Sequence, residues 1–298
     1  MTTNTTFPLG DQLVRRIGFG AMQLAGPGVF GPHADLDACR AVLRRAIDLG
    51  VDHVDTAQFY GPDVVNELIR DTLHPYPEHL RLVTKVGARR DDEGGWIPSA
   101  TPADLVDQVE QNLRSLDVER IDLVNLRRFE TDAPHLDQAP LDDQLGALAE
   151  LRDAGKIAAI GVSNVGADTV RRAVETVGIG EVQNAFGLLD RSDREVLDLA
   201  GAHGVAYVPF FPLGSAFTGG PAAIAADPTV RAVAAKHDVR ATQVALAWVL
   251  AQGEHVLLIP GTSSVAHLEE NLAVADVALD EEDLAALDAV EQRPVAGH

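Results

Sequence analysis

The stretch Ile17-Gly18-Phe19-Gly20-Ala21-Met22-Gln23 decides between two α/β architectures. A doubly wound sheet built to hold a dinucleotide carries G-x-G-x-x-G after its first strand, with the third glycine opening a helix. Here the third glycine is missing and no helical pattern follows, so the segment reads as a strand with a tight end. Outward from it, apolar, β-branched runs recur at residues 17–20, 51–54, 80–84, 121–126, 157–162, 182–183, 205–211 and 256–259. Such continuous runs are the pattern of parallel strands covered by helices. Helical spacing fills intervals between them at 36–49, 64–73, 102–116, 141–154, 168–177 and 193–203. Thr101-Pro102-Ala103-Asp104 offers a capping hydroxyl, a proline at the first helical position and a carboxylate at the third, and Ser192-Asp193-Arg194-Glu195 reads as a capping box. Gly50, Gly155 and Gly204 stand where helices should stop. Eight β-then-α units within 298 residues predict an α/β fold, a (β/α)8 TIM barrel occupying residues 1–298 as a single domain.

Composition narrows the function. Hydrophobic residues make up 46% of the chain, enough for a sizeable core, and 24 Lys plus Arg against 45 Asp plus Glu leave a net charge of −21. That charge repels nucleic acid and anionic lipid, so neither is expected as a partner. The lone Cys39 allows no internal disulfide, and the ten histidines, His53, His79, His203 and His237 among them, never fall at zinc spacing, so no metal is expected. No apolar run approaches the ~20 residues of a membrane span, and the start MTTNTTFPLGDQ has no basic or apolar leader pattern, so a soluble, cytoplasmic protein is expected. The Gly-, Pro- and charge-rich segments 88–100 and 128–140 are expected to be long loops over the active face.

Barrel active sites form where strands run out. The second strand ends Asp55-Thr56-Ala57-Gln58-Phe59-Tyr60-Gly61 and the third ends Thr84-Lys85, which brings a carboxylate, a phenol and an ammonium to one rim. The chain has three Lys and three Tyr, so one of each at these ends is a pointed coincidence. An ammonium beside a phenol stabilises phenolate, and Tyr60 is expected to become a usable acid near neutrality, with Asp55 holding Lys85. The competing reading is a structural Asp55–Lys85 pair that fixes the rim.

Asp55-Thr56-Ala57-x-x-Tyr60-Gly61, Thr84-Lys85, Gly161-Val162-Ser163-Asn164 and Ile259-Pro260-Gly261-Thr262-Ser263-Ser264 with Glu270-Asn271 together resemble the successive motifs of the aldo-keto reductases. The resemblance runs in order from about Gly18 to Asn271. It implies a barrel that binds NADPH across the strand ends, with Asp55, Tyr60 and Lys85 catalytic. The family's fourth catalytic residue, a histidine ending the fourth strand, is absent: Ile121-Asp122-Leu123-Val124-Asn125-Leu126-Arg127 places Arg127 there. A guanidinium still donates hydrogen bonds, but it is permanently cationic and favours an anionic partner. With the starts Gly20-Ala21-Met22-Gln23 and Val208-Pro209-Phe210-Phe211-Pro212-Leu213-Gly214, the chain is most similar to the bacterial pyridoxal reductase branch, whose members reduce pyridoxal to pyridoxine. Pyridoxal carries an acidic hydroxyl beside its aldehyde, which Arg127 suits.

The same resemblance implies that Ser163, Asn164 and Gln183 hydrogen-bond the nicotinamide carboxamide and that Phe210 stacks on its ring. It places Leu213, Gly214 and Ser215 beneath the pyrophosphate and Asn271 at the adenine, with Glu270 beside it among the cofactor-binding residues. Gly261, Thr262 and Ser263 precede a helix, where backbone N–H groups and hydroxyls receive phosphate. Gly261 and His267 stand where some members carry a lysine and an arginine for the 2′-phosphate, so NADH joins NADPH as an acceptable cofactor. The leading expectation is a small-molecule aldehyde reductase. Its alternative is a regulatory subunit that keeps the fold and the nucleotide while catalysis is lost.

Overall fold

The computed structural model describes residues 5–131, 133, 136, 138–214 and 219–293. The chain opens with β1 (Thr6–Leu9), β2 (Gln12–Arg15) and β3 (Phe19–Gly20). Then α1 (Leu36–Asp48), β4 (His53–Asp55), α2 (Val64–Leu73), β5 (Arg81–Arg90), β6 (Trp96–Ser99) and α3 (Pro102–Leu116) follow. The middle holds β7 (Ile121–Arg127), α4 (Leu141–Asp153), β8 (Ile157–Ser163), α5 (Ala167–Thr176), β9 (Glu181–Gln183), α6 (Arg194–Ala202) and β10 (Ala206–Tyr207). Helices α7 (Gly220–Ala226), α8 (Pro228–His237), α9 (Ala241–Leu250), α10 (Val265–Leu272) and α11 (Glu281–Asp288) complete it.

Strands β3, β4, β5, β7, β8, β9 and β10 pair in that order, every pair parallel. The expected eighth strand at 256–259 forms no ladder of its own but closes the curl with single bridges. Leu257 N–H donates to the Tyr207 carbonyl and Tyr207 N–H to that of His255, while Gly18 N–H donates to Leu258 and Leu258 N–H to Arg16. The barrel fold read from the sequence therefore stands. Helices α2 and α3 fall on their expected bounds, and Thr101 caps α3 reciprocally with Asp104. Gly50, Gly155 and Gly204 follow α1, α4 and α6 at positive φ.

The glycines of the first strand serve this closure. A Cβ on Gly18 would lie 2.2 Å from the His53 ring, and one on Gly20 would lie 2.4 Å from the Ile259 carbonyl oxygen. Gly18 lets the first strand pass the His53 ring of β4, and Gly20 lets it approach the last strand at Ile259; a short 3-10 turn, Ala21–Leu24, follows where a dinucleotide fold would open an α-helix.

Two expectations are corrected, and one element was not foreseen. The segment 88–100 is not a loop: β5 runs on to Arg90 and turns back antiparallel through β6, with Arg90 paired to Trp96. Its strands carry Arg89, Arg90 and Pro98, so they lack the apolar run that marks a buried strand. Ser192-Asp193-Arg194-Glu195 forms no capping box. Asp193 precedes α6, but its carboxylate accepts the Tyr207 hydroxyl and the Asn184 amide instead, at 2.7 and 2.9 Å. Finally, the start of the chain makes an antiparallel hairpin, β1–β2, whose Leu9 and Val14 pack with Val83, Leu123, Ala206, Val208 and Leu257 inside the barrel. No helix of the described residues is long and apolar enough to cross a membrane.

Candidate active site

Asp55 ends β4, Lys85 lies within β5, and Tyr60 follows β4 in a turn closed by its N–H on the Ala57 carbonyl. All three side chains are buried. Lys85 Nζ donates to Asp55 Oδ1 at 2.5 Å and to the Thr56 carbonyl at 3.0 Å, and it lies 5.2 Å from the centre of the Tyr60 ring. The trio expected from the strand ends is thus one contact group.

Its electrostatics differ from the expectation. Burial pushes the Tyr60 phenol above its ordinary value; Lys85 pulls it down, Asp55 adds to the rise, and Arg127 opposes it more weakly. Desolvation outweighs Lys85, because that cation is already shared with Asp55. Tyr60 therefore holds its proton at neutral pH rather than becoming acidic. For Lys85, burial alone would favour the neutral amine, but Asp55, Tyr60 and their hydrogen bonds together hold the ammonium above its usual value.

Strand pairing sets Arg127, Ser163 and Gln183 side by side in one row across β7, β8 and β9. Arg127 lies 4.9 Å from the Phe129 ring centre and 5.9 Å from that of Trp96. Trp96 also meets Phe59 edge-on at 5.2 Å, and Phe59 meets Tyr60 at 5.6 Å. An aromatic wall with a guanidinium against it thus borders the phenol. Trp96 was not among the residues singled out from sequence, because it sits in the segment read as loop; its signal was a large aromatic beside an Asp-Asp-Glu-Gly-Gly turn.

Asn164 follows β8 at φ 59°, with its amide on the Arg128 carbonyl at 2.8 Å and its Oδ1 accepting the Thr131 hydroxyl. Gln183 Nε2 donates to Asp55 Oδ2 and to Glu181 Oε1, both at 2.9 Å. Ser163 is buried at the end of β8, and Phe210 bonds through its N–H to the Asn184 carbonyl and meets Phe211 edge-on. Leu213 and Gly214 follow in a turn, while Ser215 lies outside the described residues.

Thr262, Ser263 and Ser264 lead into α10, with Ser264 capping it through the His267 N–H. Gly261 packs against Gly20: a Cβ there would sit 2.5 Å from the Gly20 carbonyl oxygen. His267 is exposed, Asn271 half-buried, and Glu270 pairs with Arg240 at 2.8 Å. A helix start, hydroxyl donors and close backbone make a set that fits phosphate. Among the described residues, no group of three or more His, Cys, Asp or Glu is placed to hold a metal.

The sequence pattern of the Aldo/keto reductase family matches residues 16–292. The chain belongs to the aldo/keto reductase family. Among its relatives in that family, pyridoxine 4-dehydrogenase of Escherichia coli (strain K12) is 44% identical over 97% of this chain and 99% of its own. Probable aldo-keto reductase 1 of Glycine max is 32% identical over 95% of this chain and 88% of its own. Among solved structures, a thermostable aldo-keto reductase in complex with the inhibitor epalrestat superposes with a TM-score of 0.79 at 27% identity, covering 95% of this chain and 98% of that one. An aldo/keto reductase from Klebsiella pneumoniae, solved with NADP and acetate, shares the fold at 24% identity and TM-score 0.79, covering 99% and 98%. As an aldo/keto reductase, this chain is an oxidoreductase.

Proposed function

We propose that this aldo/keto reductase works as one domain and reduces the aldehyde of pyridoxal to the alcohol of pyridoxine with NADPH, Tyr60 being the proton donor. The observation that carries the reading is the buried contact group of Asp55, Lys85 and Tyr60 at the strand ends. The relative named pyridoxine 4-dehydrogenase supports the substrate, and the relative solved with NADP supports the cofactor.

When bound, the reduced nicotinamide supplies a hydride to the carbonyl carbon. The carbonyl oxygen gains negative charge as that bond forms, and Tyr60 transfers its phenolic proton there, leaving an alcohol and a tyrosinate beside Lys85. Because burial keeps Tyr60 protonated, the acid is loaded before the reaction begins. A phenol needs only to be more acidic than the developing alcohol. Lys85 stabilises the tyrosinate at the moment it forms, and Asp55 and the Thr56 carbonyl keep the ammonium aimed. Arg127, backed by Phe129 and Trp96, binds the substrate's phenolate and polarises its carbonyl.

For the cofactor, Ser163, Asn164 and Gln183 take the carboxamide of the nicotinamide and Phe210 its ring. Leu213, Gly214, Gly261, Thr262 and Ser263 take the phosphates, and His267, Glu270 and Asn271 the adenosine end. The donor chemistry and the close backbone at Gly20 and Gly261 fit that group. No lysine stands at the 2′-phosphate position, so NADPH is preferred over NADH less strictly than in a strongly NADPH-selective member.

Purified protein assayed for NADPH oxidation against pyridoxal and simple aldehydes tests the reading. Pyridoxal is the preferred substrate; good turnover of simple aldehydes with none of pyridoxal overturns the substrate. Arg127 in place of histidine favours the second reading, a nucleotide-binding regulatory subunit, which wins if NADPH binds tightly and no aldehyde is reduced.

A further inference from the structure

A second polar layer lies inside the barrel, one step below the row of Arg127, Ser163 and Gln183. Pairing across β5, β7, β8 and β9 aligns Lys85 with Asn125, Asn125 with Gly161 and Gly161 with Glu181. Paired positions share one face of a sheet, so these positions face the barrel axis together with Lys85. Gly161 supplies no side chain, and a Cβ there would sit 2.1 Å from Asn125 Oδ1, so its absence makes room for the amide. Barrel interiors are normally filled with branched apolar residues. Here an ammonium, an amide and a carboxyl replace them, and Glu181 is 1% exposed.

The bonding is specific. Gln183 Nε2 has two hydrogens, one going to Glu181 Oε1 and one to Asp55 Oδ2. The other oxygen of Asp55 takes Lys85. Resting on the functional reading above, we propose that Glu181 is a positioning residue for the proton-donating group: by accepting one hydrogen of the Gln183 amide it turns the other onto Asp55, fixing the carboxylate that holds Lys85 against Tyr60. The same bonds leave the Gln183 carbonyl oxygen as the part of that side chain free to accept from a ligand's amide.

Glu181 is also a charge that changes with pH. The groups facing it are Asp55 from β4, Lys85 from β5, Asn125 from β7 and Gln183 from its own strand; its neighbours Gly161 on β8 and Ala206 on β10 bring no charge. Burial first, then Asp55, push its carboxyl up to about 7, against the pull of Gln183, Lys85 and Asn125. Above that value a second carboxylate joins Asp55 in holding Lys85, so less of the ammonium's charge is left to meet a tyrosinate at Tyr60, and proton donation slows.

The full-length protein with Glu181→Gln keeps an acceptor for Gln183 and removes the charge, whereas Glu181→Leu removes both. In NADPH-dependent pyridoxal reduction, Glu181→Gln retains kcat at low pH and loses the decline of the wild type above neutrality. Glu181→Leu lowers kcat roughly 10- to 100-fold at every pH while NADPH affinity changes far less. A second readout needs no turnover: tyrosinate absorbance, with Tyr60 assigned by its loss in Tyr60→Phe, titrates at lower pH in Glu181→Gln than in wild type. Thermal melting shows which variants fold, and Glu181→Gln decides if Glu181→Leu does not. Wild-type protein that reduces no aldehyde overturns the functional reading and leaves the Tyr60 titration to judge Glu181. An unshifted Tyr60 midpoint, a retained decline above neutrality, or wild-type kcat in folded Glu181→Leu overturns the role of Glu181.

Discussion

The ammonium nitrogen of Lys85 sits 5.2 Å from the centre of the Tyr60 ring, and both side chains are buried. This cation cannot make the phenol acidic at rest, because burial outweighs it, but it meets the tyrosinate that proton donation leaves behind. Tyr60→Phe keeps the ring and removes the proton. Pyridoxal reduction is expected to fall roughly 100- to 10,000-fold, the usual share of general acid catalysis, with NADPH affinity nearly unchanged. Steady-state rates beside a cofactor titration check it, and near-wild-type turnover sinks the proton-donor role.

Arg127 pairs in register with Ser163 and leans on Phe129, in the position where the family's histidine is expected. A charge-assisted bond to a substrate phenolate contributes about 1.5–3 kcal/mol. Arg127→His removes the fixed charge and restores the family's usual donor, so kcat/KM for pyridoxal should fall roughly 10- to 100-fold while that for a neutral aldehyde holds or rises. Equal losses for both substrates would mean that Arg127 does not select the anion.

Much of this arrangement is legible in the sequence. Asp55, Tyr60 and Lys85 stand at the ends of apolar runs, and the helices α2 and α3 carry full amphipathic spacing, so both could be placed to the residue. The β5–β6 hairpin escaped because half-buried antiparallel strands carrying Arg89, Arg90 and Pro98 show no apolar run, although their Gly94-Gly95 turn was visible. Glu181 escaped for another reason. A carboxylate at the start of a three-residue strand looks like a loop residue, and only the register with Gly161 turns it inward. The direction of the Tyr60 shift needed the structure as well, since sequence shows the neighbouring cation but not the depth of burial.

Gly20 tests the closure of the barrel. Its missing Cβ leaves room for the Ile259 carbonyl, and Gly261 meets it from the other side. Gly20→Ala forces a methyl group onto backbone that cannot rotate away. Overpacking of this kind costs about 1–3 kcal/mol, so the urea midpoint should fall with little change in slope. Wild-type stability in this variant would show that the first and last strands have slack.

Asp193 gives the fold a pH dependence that is separate from the active site. Burial, against the hydrogen bonds from Tyr207 and Asn184, lifts its carboxyl to about 7. An unfolded aspartate titrates near ~3.9, so between about pH 4 and pH 7 the native protein binds more protons at this site than the unfolded chain. Stability must then decline as pH rises through that window, because ionising Asp193 in the fold costs more than ionising it in water. Asp193→Asn keeps a carbonyl oxygen for Tyr207 and Asn184 and removes the titration. Its melting temperature should fall less than that of the wild type between pH 5 and pH 8, with Glu181, whose carboxyl is raised to the same range, contributing to the slope that remains. Parallel curves for the two proteins would show that Asp193 is already ionised, or solvated, in the native state.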